Sequence, residues 1–130
     1  MTYYSGPDRG GEFWFYRPGD LRTCDYWFAE DQGVYHSYFL EFHPLEDGSF
    51  DQRIGHGVSR DLKELEYCGT VLRGRVEGGF PDGNLATGSV VRHKGRFYML
   101  YTAHGSKKGL ALAVSDDLSC WKKNWRRSGD

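Results

Sequence analysis

One phrase is written twice in this chain, and it limits the possible fold more than any other feature. The first copy reads Gly33-Val34-Tyr35-His36-Ser37-Tyr38-Phe39, then Gly55-His56-Gly57-Val58-Ser59-Arg60-Asp61-Leu62. The second reads Gly95-Arg96-Phe97-Tyr98-Met99-Leu100-Tyr101, then Leu110-Ala111-Leu112-Ala113-Val114-Ser115-Asp116-Asp117-Leu118. In each copy a glycine turn feeds an aromatic strand, and a strand of smaller residues then ends in Ser-x-Asp-Leu. Gly33 and Gly95 stand 62 positions apart, and Ser59 and Ser115 stand 56 apart. A period of this size marks a repeat architecture in which each unit buries its apolar face against the next.

Around the doubled phrase the chain reads as short strands separated by turn signals. The first set is Cys24 to Ala29, Val34 to Glu41, Arg53 to Val58 and Leu65 to Leu72, with a polar loop over Phe42 to Gln52. After a glycine-rich loop from Gly74 to Asn84 the order restarts with Ala86 to His93, Arg96 to Ala103 and Leu110 to Val114. Trp121 opens the last strand. Residues 1–11 are polar and glycine-rich and read as a loose start, and Glu12 to Tyr16 reads as a strand or apron docking on the core. No stretch shows the 3.6-residue apolar period of a helix. Gly55 and Gly57 share one parity, so they let a neighbour approach one face while His56 projects from the other. Four strands repeated at about sixty residues is the pattern of a β-propeller blade.

Composition removes several function classes. The net charge of −1 over 130 residues, with no basic stripe, argues against nucleic acid as a partner. The three cysteines, Cys24, Cys68 and Cys120, form neither a CxxC pair nor an even disulfide framework, and no cluster has metal-ligand spacing. We therefore expect no metal and no cofactor. No stretch approaches a membrane span, and Met1 to Asp8 has neither a basic nor an apolar leader region, so a cytoplasmic location is expected. Aromatic residues make up 16% of the chain. They suit half-buried strands, and flat rings also cover sugar faces.

From about Asp25 to Lys122 the chain resembles the first two blades of the five-bladed propeller glycoside hydrolases. That group includes the family 43 arabinanases and xylosidases, and the invertases, levanases and levansucrases of families 32 and 68. The matching pieces occur in order. They are Asp25 eight residues before Gly33, the strand Tyr35-His36-Ser37-Tyr38-Phe39, the corner Gly55 to Leu62, Asp82 with Thr87-Gly88-Ser89, and the close Ser115 to Trp121. Two departures stand out at the sequence level. Leu65 stands where the family usually has Trp, and Phe28 stands where Pro is common. The resemblance implies an all-β, five-bladed β-propeller type of which about two four-stranded blades are present. Residues 1–24 would dock on the propeller, blade one would cover about 25–73, and blade two about 82–130.

The same resemblance implies a role for Asp25 as the first-blade catalytic carboxylate, a nucleophile in retaining members and a general base in inverting ones. Taken alone, without the resemblance, Asp25 reads as a turn or capping residue before a strand. Trp27 is a candidate for stacking on sugar, as is Trp14, and His56 a candidate for binding a sugar hydroxyl; each reads otherwise as packing. Asp82, Asn84, Thr87 and Ser89 form a candidate hydroxyl-binding set at the rim of blade two, with turn chemistry as the alternative. The two Ser-x-Asp-Leu corners read as structural, and Tyr35, Tyr38, Phe97, Tyr98 and Tyr101 as core or cross-strand residues. No general acid is identified: the chain holds no Arg-Asp-Pro phrase, and Glu41, Glu64 and Glu66 lie in the wrong context. The expected partner is an oligo- or polysaccharide. The alternative is a non-catalytic carbohydrate-binding module, or one that self-associates through exposed blade edges.

Overall fold

The computed structural model describes residues 2–3, 5–7, 14–16, 18–74, 83–105 and 108–124; the first three of these segments are described by their backbone. Eleven strands occur in it: β1 (Thr2–Tyr3), β2 (Ser5–Pro7), β3 (Trp14–Tyr16), β4 (Arg22–Asp31), β5 (Val34–Pro44), β6 (Phe50–Ser59), β7 (Leu65–Leu72), β8 (Asn84–His93), β9 (Arg96–His104), β10 (Lys108–Ser115) and β11 (Lys122–Lys123). No helix is present among the described residues. The strands form a five-stranded sheet in the order β1-β7-β6-β5-β4, a four-stranded sheet in the order β11-β10-β9-β8, and the pair β2-β3. The fold class is all-β, and the two meanders are the two blades read from the repeat.

The repeat is visible in the backbone itself. Asp31 pairs with Val34 and His93 with Arg96, so each opening hairpin has a two-residue turn. Both turn residues have positive φ in each copy, at 51° and 80° for Gln32 and Gly33 and 49° and 78° for Lys94 and Gly95. That is the mirror-image turn whose twist matches the flanking strands, and glycine at its second position makes it cheap.

The corners repeat just as closely. Ser59 Oγ accepts the N–H groups of Asp61 and Leu62, and Asp61 Oδ1 accepts those of Lys63 and Glu64. Ser115 and Asp117 make the matching bonds to Asp117, Leu118, Ser119 and Cys120. These donations hold both Asp61 and Asp117 below the usual carboxylate range.

The two sheets pack face to face. Trp27, Tyr38, Leu40, Ile54 and Leu72 from the first meet Leu85, Met99, Tyr101 and Ala113 from the second in one core. The Tyr38 hydroxyl donates to the carbonyl of Leu118 in the second corner, and its ring meets Trp121 edge-on at 5.7 Å. Further ties cross the boundary. Gln52 N–H donates to Asn84 Oδ1 at 3.0 Å, Gln52 Nε2 to the Leu85 carbonyl at 2.7 Å, and Arg92 pairs with Asp31 at 2.6 Å.

Two details differ from the sequence reading, and one agrees with it. The chain start is not loose where it is described, because β1 adds to the edge of β7 and β2 pairs with β3. The loop expected over Phe42 to Gln52 shrinks to residues 45–49, because β5 and β6 stay paired as far as Pro44 and Phe50. The polar residues there satisfy the ladder on one side and water on the other, which composition alone does not separate from a loop. Gly55 serves the role expected of it: a Cβ there would lie 2.4 Å from Glu41 Oε2 and 2.5 Å from the Phe39 ring.

Candidate functional site

The innermost strands of the sheets, β4 and β8, each break register near their start. The pairing of β4 with β5 slips between Cys24 and Trp27, and that of β8 with β9 slips between Leu85 and Gly88. Each slip is a bulge that sets two residues against one and re-aims a side chain. Asp25 lies in the first bulge and Thr87 in the second. Asp25 takes φ 53°, the left-handed region that non-glycine residues seldom occupy and that Asp tolerates better than most. Its carboxylate is exposed, and Thr87 Oγ1 donates to Oδ2 at 2.6 Å. Two residues 62 positions apart, at matching places in the repeat, thus meet across the seam between the blades.

Burial raises the Cys24 thiol above its ordinary pKa, and the neighbouring Asp25 carboxylate adds to the rise, so Cys24 stays protonated at neutral pH. Glu41 does not reach this site. It is fully buried on the other face of the sheet, where Tyr67, Thr70 and His43 bond its two oxygens. Glu64 and Glu66 line a separate cleft with Val34, Val58, Ser59 and Arg60, at the hairpin end of the sheet away from Asp25. An exposed carboxylate with one oxygen anchored can serve as a base or a nucleophile, but the acid half of a glycosidic cleavage has no candidate beside it among the described residues.

The remaining sequence candidates are distributed differently from expectation. Trp27 is buried in the core between the sheets, its ring tilted against Tyr38 at 6.2 Å, and is not presented for sugar stacking. The bulge explains this: it uncouples the direction of Trp27 from that of Asp25, which strand alternation would have placed on one face. His56 sits on the third strand of its sheet, 2% exposed, stacked between His36 and Tyr38. His36 Nδ1 and His56 Nε2 share a hydrogen bond of 2.9 Å. Burial pushes the His56 pKa down to about 4, with the neighbouring His36 adding to the fall, and burial also lowers that of His36. His56 is therefore a core histidine and lies off the inner strand.

Asn84 uses its carbonyl oxygen to hold Gln52. Ser89 is exposed two residues beyond Thr87. Asp82 lies outside the described residues, and so do the side chain of Trp14 and most of the Gly74 to Asn84 loop. No group of three or more His, Cys, Asp or Glu side chains converges as a metal site among the described residues. Thr87 as the anchor of Asp25 is the relation sequence reasoning missed, although the shared repeat position was its signal.

Sequence comparison finds neither a family profile nor a curated protein that matches the chain. Comparison with solved structures does. A glycosyl hydrolase from Bacteroides ovatus superposes with a TM-score of 0.66 at 19% identity, over 79% of this chain and 31% of that one. A family 43 β-xylosidase/α-arabinofuranosidase from a compost metagenome, solved with xylotriose, gives 0.64 at 19% identity over 81% and 35%. A family 117 glycoside hydrolase of the marine bacterium Zobellia galactanivorans gives 0.67 at 16% identity over 98% and 46%. The fold is thus that of the propeller-type glycoside hydrolases, in partial form. The chain spans about a third of the length of the first two of these structures and just under half of the third.

Proposed function

We propose that this chain is the two-blade portion of a propeller glycoside hydrolase that cleaves O-glycosidic bonds in plant or microbial glycans such as arabinan, xylan or fructan. Asp25 supplies its first-blade carboxylate, as nucleophile or general base. The observation that carries this reading is the posture of Asp25: an exposed carboxylate on an innermost strand, in a left-handed bulge, anchored by Thr87 from the next blade. Backbone strain held at an exposed polar side chain is a recurrent mark of functional positions. Thr87 positions the carboxylate, and Ser89, Asn84 and Asp82 complete the rim of the second blade by resemblance. The solved family 43 relative holds xylotriose, which makes a xylo-oligosaccharide the first ligand to test.

One carboxylate cannot provide both acid and base, so the 130-residue chain binds sugar without turning it over. Titration with xylotriose, arabinotriose and a fructan trisaccharide, followed by amide NMR, is expected to move the signals of Asp25 and Thr87 first, with dissociation constants in the millimolar range. Asp25→Asn should weaken that binding and leave the rest of the spectrum in place. Hydrolysis of aryl-xyloside, aryl-arabinoside or sucrose by the wild-type chain, lost in Asp25→Asn, would instead show that the missing groups come from a second chain. Absence of any shift at Asp25 with all three sugar classes would refute the reading.

A further inference from the structure

We propose that Arg22 recognises an anionic group, a uronate carboxylate or a sulfate ester, on a glycan bound at the Asp25 end of the two blades. The ligand class rests on the glycan reading above. Arg22 opens β4 and stands three residues before Asp25, about 10 Å away along an extended strand. Its guanidinium carbon lies 4.9 Å from the centre of the Phe42 ring and 5.7 Å from that of Phe50. Those two rings stand at 89° to each other with centres 6.0 Å apart, so the guanidinium is held in the corner between them.

Strand pairing fixes this corner. Arg22 pairs with Phe42, Phe42 with Gln52, and Pro44 with Phe50. Phe42 packs against the core between the sheets, and Gln52 beside it donates to Asn84 and Leu85 of β8. Arg22 thus stands on the side of the first sheet where the second blade is already in place, at the strand ends that also carry Asp25 and Thr87. It is not part of an outer blade face. Burial raises the Cys24 thiol, the Asp25 carboxylate adds to the rise and Arg22 opposes it, so both charges act on the residue between them.

The charge of Arg22 is not met by a carboxylate. Arg53 and Arg73 share Asp51, Arg92 holds Asp31, and Arg96 holds Asp116. Arg22 is exposed and makes no ion pair among the described residues. Ring faces attract the cation but leave its planar fork of N–H donors available, and such a fork suits the paired oxygens of a carboxylate or a sulfate. Because Arg22 lies over both rings, the cluster presents a donor group there and not a bare aromatic platform. Asn84, whose oxygen is engaged by Gln52, likewise has N–H groups to offer. At about 10 Å, near the screening length in 0.1 M salt, the Asp25 charge opposes a second anion only weakly.

Four titrants followed by NMR of the amides and the arginine Nε–H groups test the proposal: xylotriose, xylotriose bearing one glucuronic acid, xylotriose bearing one sulfate ester, and free glucuronate. At low ionic strength at least one charged trisaccharide should move the Arg22 Nε–H signal and bind about tenfold more tightly than xylotriose, with a gain that shrinks as salt is added. The uronate and sulfate arms show which anion is preferred. Arg22→Gln should bring the charged trisaccharides down to the affinity of xylotriose, with the circular dichroism spectrum intact. Arg60→Gln removes an arginine at the opposite end of the first sheet and should keep the gain. A charged trisaccharide that binds no better than xylotriose, or not at all, overturns the proposal, as does a gain kept in Arg22→Gln or lost in Arg60→Gln. Free glucuronate that binds as tightly as the charged trisaccharide also overturns it, because the glycan would then contribute nothing. If Asp25 stays unmoved by every sugar while the Arg22-dependent gain persists, the catalytic reading of Asp25 fails and recognition by Arg22 stands. If sugars move Asp25 but the gain is absent, the reverse holds.

Discussion

His36 and His56 show most plainly how one side chain is governed by its neighbours. Both are buried, stacked at 5.2 Å, and joined by one hydrogen bond that requires one ring to donate and the other to accept. Adding a proton to either places a charge in the core. The folded-state pKa of His56 is about 4, against an ordinary value of 6.5. Above pH 6.5 both folded and unfolded forms are neutral, and no pH dependence arises from this group. Between 6.5 and 4 the unfolded chain takes up a proton that the folded chain refuses, so stability falls as pH falls. Urea unfolding at pH 7 and pH 5 should differ by about 2 kcal/mol from this group alone. His56→Phe should remove most of that difference, and an unchanged pH dependence would refute the assignment. The sequence showed His56 projecting from its strand opposite two glycines, but not what lay beyond it. The partner His36 is twenty positions away and meets it through the register of β5 and β6.

At the scale of the element, glycine and the Ser-x-Asp corner decide where strands can come together. Gly55 lets the Phe39 ring and the Glu41 carboxylate cross β6. Gly55→Ala would force a methyl to within 2.4 Å of a buried carboxylate bonded by Tyr67 and Thr70. Neither group is free to yield, and a loss of about 2 kcal/mol or more is expected in denaturant unfolding.

The corners invite a comparison within the molecule. Ser115 and Ser59 make the same bonds, but Leu118 beside Ser115 is fully buried while Leu62 is 51% exposed. Ser115→Ala should therefore cost more than Ser59→Ala, about 1 to 2 kcal/mol against less than about 1. Equal losses would show that burial of the following leucine is irrelevant. The corners and both hairpin turns were legible in the sequence because their chemistry is local: Ser and Asp bond the N–H groups two and three residues on, and glycine takes the left-handed turn position. The bulge at Asp25 was not legible. It depends on two strands slipping against each other, and nothing within Cys24-Asp25-Tyr26-Trp27 announces it.

At the scale of the whole molecule the question is whether two blades behave as one folding unit. The seam is held by the Tyr38 hydroxyl on Leu118, by Gln52 on Asn84 and Leu85, by Arg92 on Asp31, and by a common apolar core. With the core shared this way, neither sheet buries its aromatic face alone, and a single unfolding transition is expected. Tyr38→Phe leaves the ring and removes the bond into the second corner, stranding the Leu118 carbonyl with Trp121 Nε1 as its remaining donor at 3.1 Å. It should lower the unfolding free energy by about 1 to 2 kcal/mol without splitting the transition. Two separate transitions, monitored by tryptophan fluorescence and by the far-ultraviolet signal, would show that the blades fold independently.

The sequence by itself determined the periodic part of this protein: eight of its strands in two copies, the turn and corner chemistry, the all-β class, and the resemblance that singled out Asp25. These follow from side-chain alternation, glycine conformational freedom and short-range hydrogen bonding, all of which act within a few residues. Only the tertiary structure decided which candidates belong together. It buried Trp27 and His56 in the seam, closed Glu41 behind the first sheet, and joined Asp25 to Thr87. Those outcomes come from strand register and from the stacking of one sheet on another. A one-residue slip re-aims a side chain, and the residues that receive it lie some sixty positions away in the chain.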